Sequence, residues 1–320
     1  MSSTSPDRTD SSIRTRIIAH RGASGYLPEH TAVAKTLAYG FGVDFIEQDV
    51  VATRDHDLVV LHDTSLDDVS DVAAKFPNRQ REDGHFYVID FTTAELQQLL
   101  LHERRQPGTD NMRFPQRFPY RLPGFQVMRL EDEIRLISGL NASTGRHVGL
   151  YPEIKDPAWH ASNGIDLTGL VHSKLDELRS EISGPVFVQS FDRAALLRLR
   201  NDFQTEWPLV QLLDGADASA LPEDPQAIAA IADYATGVGL PYIELLNRSG
   251  DRIEPTNLAM QLENAELLVH PYTLRRDSPD SEKGIGYFDA IRALILELRV
   301  DAVFCDQPDD ALAIRDRTTA

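Results

Sequence analysis

The chain has 320 residues, 42% hydrophobic and 26% charged, which suits a globular protein with a full core, either two ordinary domains or one large α/β barrel with additions. Its formal charge of −18 and isoelectric point near 4.9 argue against nucleic acid or an anionic lipid surface as partner, because binding a polyanion needs a basic face. No apolar run approaches the roughly 20 residues that cross a bilayer, so no integral membrane segment is expected, and the one cysteine, Cys305, excludes an intrachain disulfide and reads as a packed thiol.

The first residues, Met1 to Ser12, are polar throughout and lack the apolar core of a secretory signal, so 1–15 read as a disordered tail on a cytoplasmic protein. Arg16-Ile17-Ile18-Ala19-His20-Arg21-Gly22 reads as a short buried strand ending in a polar turn. Gly22 to Thr31 is loop, and Ala32 to Tyr39 has helical spacing that stops at Gly40. Asp44 to Thr53, rich in β-branched and aromatic residues, reads as a strand on which Glu47 and Asp49, two positions apart, project to one side. Two carboxylates sharing one small volume repel unless a cation sits between them or one takes a proton, which makes a divalent metal the natural occupant. After a turn at Arg54 to Asp57, Leu58 to His62 is again extended, followed by Asp63. From about Thr64 to Met128 aromatics, prolines and charges mix without sustained period, apart from a helix near Thr92 to Leu101, and the stretch reads as an insertion carried on a scaffold.

From Leu130 the alternation becomes regular. Helices are predicted over Leu130 to Gly139, Asp166 to Leu178, Arg193 to Phe203, Pro225 to Ala235, Thr256 to Asn264, Phe288 to Leu298 and from Asp309. Strands are predicted over His147 to Lys155, Pro185 to Phe191, Leu209 to Leu213, Val238 to Leu245, Glu266 to Tyr272 and Ala302 to Asp306. With the first two strands this makes about eight strand and helix units, the pattern of a TIM (β/α)8 barrel with residues 16–320 as one unit and an insertion at about 64–128. A doubly wound sheet is the alternative, but no Gly-x-Gly-x-x-Gly follows the first strand, so a dinucleotide site is not expected.

In such a barrel the chemistry sits at the C-terminal ends of the strands. There the chain offers His20 and Arg21, then Glu47 and Asp49, His62 and Asp63, Glu153 and Lys155, Gln189, Ser190 and Phe191, His270 and Tyr272, and Asp306. Singly, each has a plain structural explanation; together, three carboxylates, Glu47, Asp49 and Glu153, suit a hard cation that prefers oxygen, Ca²⁺ or Mg²⁺ over Zn²⁺. His20 and His62 then make a general acid and base pair, and Arg21 and Lys155 neutralise phosphoryl oxygens. Metal-assisted phosphoryl transfer is the expected chemistry.

The segments His20-Arg21-Gly22, Pro28-Glu29-His30-Thr31, Glu47-Gln48-Asp49, Leu58-Val59-Val60-Leu61-His62-Asp63 and Tyr151-Pro152-Glu153-Ile154-Lys155 resemble the glycerophosphodiester phosphodiesterase family. The likeness runs from Ile17 over nearly the whole chain, including Val269-His270-Pro271-Tyr272-Thr273 and Asp306-Gln307-Pro308, and is closest to the periplasmic bacterial branch. It implies a TIM barrel with a small domain inserted after the second strand and one cation, Ca²⁺ in that branch and Mg²⁺ in others, on Glu47, Asp49 and Glu153. It also implies His20 and His62 as the acid and base, Arg21 and Lys155 on the phosphate, and Gln189 and Phe191 lining the substrate pocket. The implied substrates are glycerophosphocholine, glycerophosphoethanolamine and similar diesters of glycerol and lipid metabolism, cleaved to sn-glycerol 3-phosphate and an alcohol. The family more often has Asn where His30 stands, and His30 is read as stabilising its loop. Rival readings on the same fold are a lysophospholipase D-type or sphingomyelinase D-like enzyme, and a noncatalytic binding protein.

Overall fold

The computed structural model describes residues 14–119, 124–279 and 281–317, so the tail expected over 1–15 lies outside the described residues up to residue 13. Thr15 is already buried, and Arg14 pairs with Asp316.

Eight parallel strands, β1 (Arg16–Ala19), β2 (Phe45–Ala52), β3 (Gly149–Ile154), β4 (Val188–Ser190), β5 (Leu209–Leu212), β6 (Gly237–Gly239), β7 (Leu268–Val269) and β8 (Ala302–Cys305), neighbour one another in the order β7-β6-β5-β4-β3-β2-β1-β8. The ring closes just past β7, where Leu274 pairs in parallel with Cys305 and Phe304 N–H donates to Pro271 O at 3.0 Å. The helices α1 (Ala32–Phe41), α2 (Leu130–Thr144), α3 (Leu167–Glu177), α4 (Arg193–Asn201), α5 (Pro225–Ala232), α6 (Asn257–Asn264), α7 (Tyr287–Arg292) and α8 (Pro308–Asp316) follow the strands in turn, so the fold is a TIM barrel.

Period-two alternation splits each strand between two cores. Ile18, Phe45, Tyr151, Phe187, Val210 and Phe304 fill the barrel interior, with Tyr151 stacked on Phe187 at 5.3 Å and edge-on to Phe304 at 5.1 Å. Ile17, Ile46, Val50, Leu150 and Val303 face outward and pack against the helices. Gly149 makes the interior layer possible, because a Cβ there would stand 2.3 Å from the Phe45 ring.

Several predicted boundaries move for physical reasons. Helix α2 runs past Gly139, where a side chain would meet nothing within 4 Å, and ends at Gly145, whose φ of +72° closes the last turn. The helix expected near Thr92 to Leu101 is one turn, Thr93–Leu96, because the backbone of Leu101 is taken by Phe125. The strand expected to reach Leu245 ends at Gly239. Pro241 turns the chain into a short 3-10 turn, Tyr242–Leu245, and then into the unpredicted hairpin Leu246–Ser249 with Arg252–Pro255. Between Leu61 and Arg129 the described chain forms short helical turns and isolated bridges that cover one side of the barrel mouth.

Candidate active site

The rows that fill the barrel interior turn polar toward the C-terminal ends of the strands. Phe45 is followed inward by Glu47 and Asp49, Tyr151 by Glu153 and Lys155, Phe187 by Gln189 and Phe191, Ile18 by His20, and Phe304 by Asp306. All of these polar residues line one cavity of about 260 Å³, together with Arg21, Glu29, His62, Tyr272, Arg275 and the loop residues Arg104, Arg113, Phe114 and Arg117. Every residue expected from the sequence to touch cation, phosphate or substrate is therefore brought to one place.

Strand register sets Asp49 opposite Glu153 and Glu153 opposite Gln189. Arg21, at φ +58°, turns its N–H onto Glu47 Oε2 at 2.6 Å. Gly22 continues that turn at φ +85°, and its missing side chain lets the loop lie on α1, since a Cβ would fall 2.8 Å from the Ala34 carbonyl carbon. From behind, Lys35 of α1 donates to Glu47 O and pairs with Glu133 of α2 at 2.8 Å, both side chains fully buried. Gln48 completes this support, donating to Glu133 and accepting from Tyr151 N–H, each at 2.9 Å.

The acidic cluster has the electrostatics of a cation site. Burial, and after it Asp49, pushes Glu47 well above the usual carboxylate range. Burial would raise Asp49 as well, yet Lys155 and His62 hold it well below. Glu153 rises to about 7 through burial, opposed by Lys155, whose Nζ lies 2.7 Å from its carboxylate. Asp49 Oδ1 is buried without a hydrogen-bond partner. A divalent ion beside it would satisfy that oxygen and remove the like-charge conflict with Glu47, so the residues fit such an ion. Among the described residues, the ligand atoms gathered within 4.8 Å of one another belong to His30, Glu47 and Asp49. His30 Nε2 stands 2.7 Å from Asp49 Oδ2, so this side chain, expected only to steady its loop, is part of the cluster.

Both histidines line the same cavity as this cluster. His20 Nδ1 lies 2.6 Å from Asp306 Oδ1, and His62 Nδ1 lies 2.5 Å from Asp63 Oδ1. Arg275, His20 and Arg117 keep Asp306 well below its ordinary range although burial works the other way. Each ring thus donates from Nδ1 to an ionised carboxylate and keeps Nε2 for other partners. Burial, and after it Arg21, lowers both imidazoles to about 4. On the floor, Gln189 Nε2 reaches Glu47 at 3.5 Å; at the mouth, Phe191 is 46% exposed, with Lys155 Nζ 5.9 Å from its ring centroid.

His270, grouped with the site residues by its strand position, lies 2.6 Å from Tyr151 Oη within the barrel interior. Sequence reasoning missed Glu29, Arg104, Arg113, Phe114 and Arg117. The available signal was the basic and aromatic run Arg113-Phe114-Pro115-Gln116-Arg117 in an otherwise acidic chain.

The sequence signature described as the glycerophosphoryl diester phosphodiesterase family matches residues 20–310. A glycerophosphodiester phosphodiesterase of Haemophilus influenzae is 38% identical, over 92% of this chain and 87% of its own length. One of Treponema pallidum is 35% identical, over 92% and 89%. Among solved structures, a glycerophosphodiester phosphodiesterase from Agrobacterium tumefaciens superposes with a TM-score of 0.57 at 22% identity, over 93% of this chain and 99% of that one. An Oleispira antarctica phosphodiesterase in complex with the product sn-glycerol-3-phosphate superposes at 0.63 with 20% identity, over 95% and 97%. The chain belongs to the glycerophosphoryl diester phosphodiesterase family and is a phosphodiesterase acting on glycerophosphodiesters.

Proposed function

We propose that the enzyme hydrolyses glycerophosphocholine, glycerophosphoethanolamine and related diesters to sn-glycerol 3-phosphate and the free alcohol, with His20 and His62 as general acid and base. The observation that carries this reading is the matched anchoring of the two rings, each with Nδ1 on an aspartate and both lining one cavity. A neutral imidazole held in that way accepts a proton at Nε2, and once protonated returns it to a departing alkoxide. Glu47, Asp49 and Glu153, with His30 alongside, would hold a divalent cation, Ca²⁺ or Mg²⁺, which when bound withdraws charge from a phosphate oxygen.

Arg21 and Lys155 complete the phosphate site. Arg21 lines the cavity with Nε 3.4 Å from Asp49 Oδ2, which sets its guanidinium beside the cation cluster where a phosphoryl oxygen would bind. Gln189 and Phe191 line the substrate side. A mouth lined by Arg104, Arg113, Arg117 and Arg275 suits a small anionic diester better than the acyl chain of a lysophospholipid.

The experiment is a panel of glycerophosphodiesters and lysophosphatidylcholine, with glycerol 3-phosphate release followed for the parent, His20→Ala and His62→Ala. Each alanine variant is expected to lose about 10²- to 10⁴-fold in kcat, and glycerophosphodiesters to be preferred over lysophosphatidylcholine. Near-parental kcat in either variant would remove that histidine from the chemistry.

A further inference from the structure

Both histidines are anchored on an aspartate, and each aspartate is backed by an arginine from one segment of chain. Asp306, the partner of His20, has its second oxygen, Oδ2, 2.6 Å from Arg117 Nη2. Arg117 is itself fixed in its plane, with Nε and Nη2 on Asp277 at 2.6 and 2.9 Å, Nη1 on Ser24 O at 3.2 Å, and the guanidinium 3.7 Å from the centre of the Phe114 ring. Asp63, the partner of His62, has its second oxygen on Arg104 Nη1. Arg104 lies with Nε and Nη2 on Glu29 at 3.1 and 2.5 Å, and Glu29 also accepts from Arg21 at 2.9 Å. The Arg104 and Arg117 side chains are 6% and 4% exposed. Arg275, from the loop after β7, adds a contact to Asp306 Oδ2 at 2.9 Å.

A carboxylate bound only by an imidazole can swing about its own torsions and carry the ring with it. A carboxylate whose second oxygen meets a rigid guanidinium fork cannot, because both oxygens are then tied to groups of fixed plane. We infer that the segment from Leu61 to Phe118 is a two-armed clamp, in which Arg104 through Asp63 and Arg117 through Asp306 hold the two imidazoles in their reacting orientation. The clamp rests on the acid and base roles given above to His20 and His62. Both arginines are positioning residues: their partners are the carboxylates behind the rings. Docking of this segment on the barrel mouth is then what aligns the catalytic pair, and Arg21 is drawn into the same alignment through Glu29.

The test compares Arg104→Lys and Arg117→Lys, which keep the charge and lose the planar fork, with Arg81→Gln, which removes a cation of the same segment paired to Asp90 away from the cavity. Thermal melting, kcat and KM on glycerophosphocholine, and the imidazole Nδ1–H proton resonances are measured on the full chain. The lysine variants are expected to melt cooperatively, keep KM within about twofold, lose about 10- to 100-fold in kcat and shift an Nδ1–H resonance, since small misplacements of reacting groups cost rate rather than binding. Arg81→Gln is expected to keep parental kcat. If Arg104→Lys fails to fold, Asp63→Asn tests that arm at a side chain one-third exposed, and if Arg117→Lys fails to fold, Asp277→Asn tests the other; each is expected to lose kcat in the same way. Parental kcat with unmoved resonances in the folded lysine variants, or parental kcat in Asp63→Asn or Asp277→Asn, would overturn the clamp. Should His20→Ala and His62→Ala stay active, the acid and base assignment is what fails; if they are inactive while the lysine variants are fully active, only the clamp fails.

Discussion

At the scale of single residues, the site depends on two adjacent backbone conformations that L-residues seldom adopt. Arg21 has φ +58° and Gly22 φ +85°, and their turn sets the N–H of Arg21 on Glu47 while leaving the Arg21 side chain beside Asp49 at 3.4 Å. Gly22→Ala would add a strained φ and a Cβ 2.8 Å from the backbone of α1. It is expected to lower stability by about 1–3 kcal/mol in urea denaturation, with kcat falling as the Glu47 contact shifts. An unchanged midpoint and rate would mean that this turn does not hold the site. The alternation of Glu47, Asp49, Glu153 and Lys155 was legible in the sequence because a strand fixes side-chain direction residue by residue. The approach of His30 to Asp49 was not, since His30 precedes α1 in a loop and no local period reports how a loop folds back.

At the scale of elements, legibility followed regularity. The barrel strands and helices from Leu130 onward were readable from their periods, with ends shifted by tertiary contacts, such as the stop of β6 before Pro241, whereas the short helices Pro157–Ser162 and Gly215–Ala220 and the hairpin Leu246–Ser249 with Arg252–Pro255 were missed. Between Leu61 and Arg129 no period exists, so neither the placement of Arg104 and Arg117 nor that of Glu103 between them could be foreseen. Glu103 is buried with Oε2 unpartnered, and burial, with Glu29 adding to it, raises its carboxyl from 4.5 to about 8. Raised in the folded state, this group leaves stability intact below about pH 4.5 and lowers it as pH climbs toward 8. Glu103→Gln cannot ionise, so its stability relative to the parent should grow by a few kcal/mol between about pH 5 and pH 8, read by denaturant melts at each pH. A pH-independent difference would show that Glu103 does not titrate in the fold.

At the scale of the whole molecule, a chain of formal charge −18 concentrates Arg21, Arg104, Arg113, Arg117, Lys155 and Arg275 around one cavity at the open end of a closed barrel. The carboxylates that pair with these cations leave Arg113 surrounded by Arg104, Arg275 and Arg21, and its pKa is pulled down by burial and by that repulsion, a setting that an anionic substrate would relieve. Beneath them Glu47 and Asp49 stand together in a setting that resists two negative charges, a conflict that a dication would resolve. The most direct measurement is glycerol 3-phosphate release from glycerophosphocholine by protein stripped with a chelator and then titrated with Ca²⁺ or Mg²⁺, beside Asp49→Asn. Turnover should disappear on stripping and return with the ion in the parent alone; turnover that survives thorough stripping would contradict a cation on the Glu47 and Asp49 cluster.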